Sequence, residues 1–343
     1  MTTFEDAYER LIGCPAPPVQ NPQLQHYWNL PVSQLCELDD PPLAPEVQER
    51  HRIYSYLLMA ITWNYWNGYK LGHPGIYPWN DVPGPTDPSW LSGDYRGHNI
   101  AALAVDATGR ILDFDFNHNT LFNSSAEHAE ARLVRRLYSL AQISDAWSAA
   151  PSGAAALGSA ASSGGYTSLS SVTIYTSLES CAQCSGIMAL ATVKDIVYLQ
   201  TDPGTYFIGR ILRNLTTPGF QAPLPISGCE IGVAEFAMLN AAFDEFVQAV
   251  PTKPFWISAD GSSKNVSPAI TSFLCTDIAR SIFAEGGVKF SDFSNGTDPL
   301  SFPTFNPNPT DPNSLTNLQV LADAVGFQKY AVTLGLRGTP HTL

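Results

Sequence analysis

The amino-acid sequence predicts an α/β fold, and three observations predict it. The run "VTIYTSL", the segment 181–193 and the run "DIVYLQT" read as strand, helix and strand in succession, the order of a parallel crossover unit. Ahead of them, "HNIAALAVD" and "ILDFDFN" flank the turn "ATGR" and read as a hairpin. Two longer segments, 46–66 and 125–140, repeat apolar residues at helical spacing.

Taken in order, residues 1–45 ("CPAPPVQNPQ", "DDPPLAPE") form an irregular Pro-rich arm expected to pack over the rest. Pro45 suits a first helical position, and the helix 46–66 aligns Ile53, Leu57, Ala60 and Ile61. A Pro/Gly/Trp loop through Arg96 leads to the hairpin. The helix 125–140 carries its own capping box, Ser124 with Glu127 three residues on, and an apolar stripe through Ala126, Ala129, Leu133, Leu137 and Leu140. Residues 147–171 ("AAPSGAAALGSAASSGG") hold too few large apolar groups for a core and read as a flexible insertion. Beyond Thr205, the segment 231–250 sets Phe236, Leu239 and Phe243 on one helical face. Ser267 and Pro268 suit the start of a second helix ending before Gly286, and a third spans 314–325 with coil between. No internal repeat or linker cuts the chain. It divides into the arm 1–45, a core 46–204 and an extension 205–343 of helices and coil.

With 343 residues, 44% of them apolar, the chain can bury a sizeable core. No run approaches the about 18–20 apolar residues of a membrane span, and Glu5, Asp6 and Glu9 make the start unlike a signal peptide. A cytoplasmic protein without a membrane partner is expected. Eighteen Lys plus Arg against 31 Asp plus Glu give a net charge of -13, which disfavours a nucleic-acid partner. Six cysteines are too sparse for a disulfide scaffold, so Cys181-x-x-Cys184 reads as metal-binding or redox-active, and Cys229 and Cys275 read as buried thiols.

The chemistry lies in "HAE", His128 to Glu130, and "CAQC", Cys181 to Cys184. Zinc favours nitrogen and sulfur ligands in a tetrahedron, and a catalytic site leaves one position open to water. His128, Cys181 and Cys184 supply three ligands, and both thiols sit at a helix start, where unpaired N–H groups favour thiolate. Glu130 is offset around its helix from His128, badly placed to ligate and well placed to move a water's proton. Arg132, Arg135 and Arg136 read as a solvated face rather than a phosphate grip. His98 and His118 flank the hairpin ends, and Tyr206 and Phe207 follow the turn "TDPG"; each pair carries a pocket reading beside a turn or core one.

At these motifs the chain resembles the zinc-dependent deaminases of the cytidine deaminase superfamily, in particular the branch of tRNA-adenosine, guanine and deoxycytidylate deaminases. Their signature is His-x-Glu followed by Pro-Cys-x-x-Cys. The resemblance covers residues 46–203, including "NIAALAVDATGRILDFDFNHN" and "TIYTSLESCAQCSGIMALATVKDIVYLQTD". It implies a three-layer α/β/α fold with a central mixed sheet of about five strands. It also implies one Zn2+ per chain on His128, Cys181 and Cys184, and Glu130 as proton shuttle. Asn117 would contact the substrate, and the Ala129 and Glu130 amides would lie by the zinc-bound water. A homo-oligomer is common in the family.

Two departures stand out. Ser180 replaces the proline before the first cysteine, where serine can cap a helix instead, and the gap from His128 to Cys181 is lengthened by the insertion. The expected function is hydrolytic removal of an exocyclic amine from a free nucleobase, nucleoside or related small heterocycle, by zinc-bound hydroxide with Glu130 moving the protons. The alternatives are the same chemistry on a base in RNA or single-stranded DNA, and a non-catalytic subunit of a deaminase complex. The first of these is disfavoured by the acidic balance, the second by the presence of Glu130.

Overall fold

A computed structural model describes residues 30–66, 97–119, 121–143, 168–216, 221–250 and 268–335, with a two-strand ribbon at 256–257 and 263–264 and isolated N-terminal positions. Most of the arm before residue 30, the loop 67–96 and most of the insertion expected at 147–171 lie outside the described residues.

The five strands are β1 (Ala101–Val105), β2 (Ile111–Phe116), β3 (Thr173–Thr176), β4 (Asp195–Tyr198) and β5 (Leu224–Ser227), in spatial order β2-β1-β3-β4-β5. Strand β1 is antiparallel to both neighbours, pairing Leu103 with Phe114 and with Tyr175. Strands β3, β4 and β5 run parallel, with Tyr175 opposite Val197 and Val197 opposite Ile226. This is the expected mixed sheet. Strand β5, which falls in the segment assigned to the C-terminal extension, is its fifth strand.

Helix α1 (Pro45–Asn64) has proline in its first turn, and α2 (Ala129–Ile143) follows the hairpin. They cover opposite faces of the sheet. Side chains alternate along a strand, so the neighbours Tyr175 and Thr176 point to opposite sides. Tyr175 meets His51 and Tyr54 of α1, whereas Thr176 reaches Glu130 of α2. The same alternation explains "ILDFDF", whose six residues are all buried. Phe114 stacks on Tyr65 and meets Phe327 edge-on, while Asp113 and Asp115 face the arginines of α2. Helix α3 (Ala182–Leu190) crosses from β3 to β4, and α4 (Ile208–Leu215) from β4 to β5.

Several boundaries differ from the sequence reading, and each has a local cause. Helix α2 starts at Ala129 rather than 125 because Ser124 is used in a turn: its Oγ accepts from the Ala126 N–H at 3.2 Å. Glu127 turns to Arg132 and Arg135, both at 2.8 Å, instead of closing a capping box. Arg132 and Arg136 are therefore turned to the sheet, whereas Arg135 is exposed. Arg132 Nε lies 3.1 Å from Asp115 and Arg136 Nε 2.7 Å from Asp113.

In the extension, α5 (Ala234–Ala249) matches the expected first helix. The second is a short helical turn, Ile270–Phe273, followed by α6 (Asp277–Asn295), which runs through Gly286 and Gly287. Those glycines are contact points. A Cβ on Gly286 would overlap Met59, so this glycine lets α6 approach α1 closely, whereas one on Gly287 would make an ordinary contact 3.5 Å from the Ala60 Cα. The stop is Gly296, with φ +77 in the left-handed region. Helix α7 (Asn317–Gly335) likewise passes Gly326 and buries Phe327 and Ala331. No helix among the described residues is long and apolar enough to cross a membrane.

The extension is locked to the core through α1. The Arg50 guanidinium donates to Leu315 O at 2.9 Å, Asn317 Oδ1 at 3.2 Å and Thr108 O at 3.3 Å. The Glu49 carboxylate accepts from the Phe302 N–H at 2.9 Å and from Asn317 Nδ2 at 3.2 Å. Residues 35–37 lie against α4: Asn214 donates to Leu35 O at 2.8 Å and Glu37 O at 2.7 Å.

His51, buried against Tyr175 with Nδ1 2.8 Å from its hydroxyl, is pushed down to about 3 by burial and then by the Lys194 and Arg50 charges. It stays neutral in the folded protein, whereas the unfolded chain takes up a proton below about pH 6.5. Stability is therefore lost as pH falls from about 6.5 toward 3, with a limiting slope of about 1.4 kcal/mol per pH unit. Urea melts across this window are expected to show that slope in the wild type and a shallower one in His51→Gln.

Candidate active site and metal centre

The site forms where β2 ends, α2 begins and β3 turns into α3. The first N–H groups of a helix have no partner within it and must find one elsewhere. At α2 the His128 carbonyl accepts the Arg132 N–H at 2.9 Å, which makes His128 the cap residue, and the Ala129 N–H donates to Asn117 Oδ1 at 2.6 Å. The His118 N–H donates to Glu127 O at 2.8 Å, so two bonds hold the end of β2 to the residues around His128. At α3, Cys181 is the cap residue and Cys184 sits one turn in, buried.

These two helix starts bring three metal-ligating side chains together. The ligating atoms of His128, Cys181 and Cys184 lie within 4.8 Å of one another. His128 Nδ1 is 3.4 Å from Cys181 Sγ and 3.6 Å from Cys184 Sγ. Tetrahedral zinc with ordinary Zn–N and Zn–S bonds sets nitrogen and sulfur about 3.6 Å apart, so the donor set and its spacing fit that ion. The Cys184 thiol beside it, more than the contact with His128, holds the Cys181 thiol down to about 4, which favours the thiolate that ligates. The neighbouring Cys181 and burial push Cys184 up.

Glu130, only 3% exposed, stands beside the trio in the first turn of α2. Its Oε2 accepts from Cys184 Sγ at 3.4 Å, and its Oε1 accepts from Ser180 Oγ at 2.9 Å and Thr176 Oγ1 at 3.3 Å. Burial pushes the carboxyl above its ordinary range, as suits a group that both takes and returns a proton. Asn117 is buried, and with Oδ1 committed to Ala129 its Nδ2 has no hydrogen-bond partner among the described residues. A buried donor without a partner marks a place for an acceptor from outside the chain.

Residues 92–217 match the family described as MafB19-like deaminase. This is a deaminase segment. It covers the hairpin, both ligand-bearing helices and α4, and makes the chain a deaminase-type enzyme. Among solved structures, the chain is similar to a tRNA:A34 deaminase, with 22% identity over 38% of this chain and 82% of that one and a TM-score of 0.26. It is also similar to the guanine deaminase from Nitrosomonas europaea, with 16% identity over 40% of this chain and 71% of that one and a TM-score of 0.25. No curated protein matches.

The remaining expected residues separate. His118 is fully buried, hydrogen-bonded through Nδ1 to Phe116 O at 3.0 Å and packed on Phe122. Tyr206 and Phe207 are 75% and 43% exposed, so neither is core. Both hold left-handed backbone, φ 52 and 56, which is costly for bulky side chains. Their segment is tied to the turn before Cys181, because the Asp202 N–H donates to the Glu179 carboxylate at 3.1 Å. Cys275 is buried as expected, but Cys229 is exposed, because it falls in the turn that leaves β5.

Ser180 does not cap α3. The cap residue is Cys181, and the Ser180 hydroxyl goes to Glu130. Thr176 was missed as a neighbour of Glu130; strand alternation, once the faces are known, points it there. Gly97 was also missed. It precedes β1 where a Cβ would overlap the Asn117 carbonyl, so only glycine lets that backbone lie where Asn117 can reach Ala129. Gly97→Ala is expected to cost about 1–3 kcal/mol through overpacking, read as a lowered urea midpoint. A crystal structure should show the Asn117 side chain displaced from the Ala129 N–H.

Proposed function

We propose that the protein is a zinc-dependent hydrolytic deaminase that removes an exocyclic amine from a free nucleobase, a nucleoside or a related small heterocycle. The observation that carries this reading is a buried glutamate touching one thiol of a His/Cys/Cys trio with the nitrogen–sulfur spacing of tetrahedral zinc. Zinc held by His128, Cys181 and Cys184 would acidify a water and supply the nucleophile.

The chain's own residues do the rest. Glu130 takes the proton from the water and delivers it to the departing amine, a traffic for which a carboxyl raised by burial is suited. Asn117 Nδ2 donates to an acceptor on the heterocycle and fixes the ring's orientation, while its Oδ1 stays on Ala129. The Ala129 and Glu130 main chain forms the wall beside the water. Tyr206 and Phe207, exposed on the segment tied to Glu179, offer planar faces to a ring.

The charge distribution favours a small substrate over a nucleic acid. Phosphate-backbone binding needs arginines or lysines free to pair with it. The arginines of α2 nearest the site are paired inside the protein, Arg132 with Asp115 and Glu127 and Arg136 with Asp113.

The decisive measurement is mass-spectrometric. Zinc-loaded protein is incubated with amino-bearing bases, nucleosides, nucleotides and short single-stranded oligonucleotides, watching for the gain of about one dalton that accompanies amine-to-carbonyl exchange. The expected outcome is a gain in one small heterocycle, lowered about 100-fold or more in Glu130→Ala. A gain confined to oligonucleotides, or none anywhere with zinc bound, would overturn the reading. Independently, a chelator is expected to lower the melting temperature of the wild type and to leave Cys181→Ser little changed, since zinc that binds only the folded chain stabilises it.

A further inference from the structure

We propose that Ser180 is a positioning residue for Glu130, supplying through its hydroxyl a bond that the proline of the deaminase signature cannot make. This inference rests on the deaminase reading of the site. The signature of these enzymes has proline immediately before the first metal-binding cysteine, where it shapes the turn. This chain has Ser180 there, 5% exposed, and its Oγ donates to Glu130 Oε1 at 2.9 Å.

The bond is specific to one oxygen. Each carboxylate oxygen has two lone-pair directions. At Oε1 they are taken by Ser180 and, at the longer distance of 3.3 Å, by Thr176. Oε2 is left on the side of Cys184, 3.4 Å from its sulfur, facing the metal-ligating trio. The two hydroxyls thus decide which oxygen meets the reacting centre and hold the carboxylate plane so that it does. Ser180 is itself fixed, because its carbonyl accepts from Ser185 Oγ at 3.3 Å within α3. With Cys181 as cap residue, the hydroxyl has no competing role at the helix start. Proline at this position would keep the turn and lose the donor, leaving Thr176 alone on Oε1.

The test compares Ser180→Ala, Ser180→Pro and Ser180→Thr with the wild type, all zinc-loaded, on the substrate that the wild type turns over. Threonine keeps the hydroxyl, and a cavity lined in part by Ser180, Ser185 and Met188 adjoins the position. Ser180→Ala and Ser180→Pro are expected to lower kcat about tenfold with KM within about twofold, and Ser180→Thr to restore most of the loss. Zinc affinity, read by competition with a chromophoric chelator, is expected to stay within about threefold in all three. Wild-type kcat in Ser180→Ala overturns the proposal. So does loss of zinc in that variant, which would make Ser180 part of the metal turn instead. Crystal structures of wild type and Ser180→Ala ask the same question without substrate. A Glu130 carboxylate rotated off its wild-type plane supports the proposal, and an unchanged one overturns it. An inactive wild type, by contrast, overturns the deaminase reading and leaves that structural comparison to decide the role of Ser180.

Discussion

The hydrogen bond from the Ala129 amide to the Asn117 side chain is the constraint on which the site depends. A helix needs acceptors for its first N–H groups, and α2 takes one from the strand that precedes it rather than from its own leading residues. That choice has three consequences. It fixes the start of α2 against the end of β2, so His128 and Glu130 emerge at a defined depth beside the sheet. It commits one end of the Asn117 amide and leaves the other, Nδ2, without a partner among the described residues. And it requires the chain to reach Asn117 closely from the other side, which Gly97 permits by having no Cβ.

A second layer of constraint is electrostatic. Strand β2 buries two aspartates on the face that α2 covers, which would be untenable without partners. Arg132 and Arg136, one turn apart on α2, provide them. Burial still raises Asp113 to about 6 against the pull of Arg136. Arg132 reaches further, to Glu127, the residue next to His128, and its guanidinium lies 5.3 Å over the Phe122 ring. Buried pairs of this kind contribute little net stability compared with apolar packing, but removing one partner is expensive. They fix the rotation of α2 about its axis, and that rotation decides whether Glu130 points at the thiols.

How much of this could be read beforehand depended on the range of the interaction involved. Local signals held: Pro45 opened α1, the turn "ATGR" joined two strands, and "HAE" and "CAQC" met at two helix starts. Signals whose meaning depends on a distant partner did not. Ser124 and Glu127 have the spacing of a capping box, yet Glu127 had arginines within reach and took them. Gly286 reads as a stop in isolation; against Met59 it is a contact point. The arginines of α2 look solvated until the aspartates of β2 are placed under them. Ser180 could be recognised as a departure from a proline, but its bond to Glu130 spans fifty residues of chain and a helix packing that no local pattern encodes.

The same geometry separates what the C-terminal extension does from what the site does. Tyr175 and Thr176 are adjacent in β3 and point to opposite faces, one to α1 and the other to Glu130. Helices α6 and α7 dock on α1, through Gly286 against Met59 and through Asn317 against Arg50. They therefore lie on the Tyr175 side, across the sheet from His128, Cys181 and Cys184. Their packing and the buried network around Glu49 and Arg50 stabilise the sheet from behind. The residues that follow β4 are different, because Asp202 is bonded to Glu179, next to Ser180, and the aromatic pair Tyr206 and Phe207 comes immediately after. Substitutions in α6 or α7 act on the site through the sheet, and α7 reaches β2 as well as α1, since Phe327 packs on Phe114 and Asp323 accepts from the Ile111 N–H. Substitutions between Asp202 and Phe207 act on the turn that carries Cys181 itself.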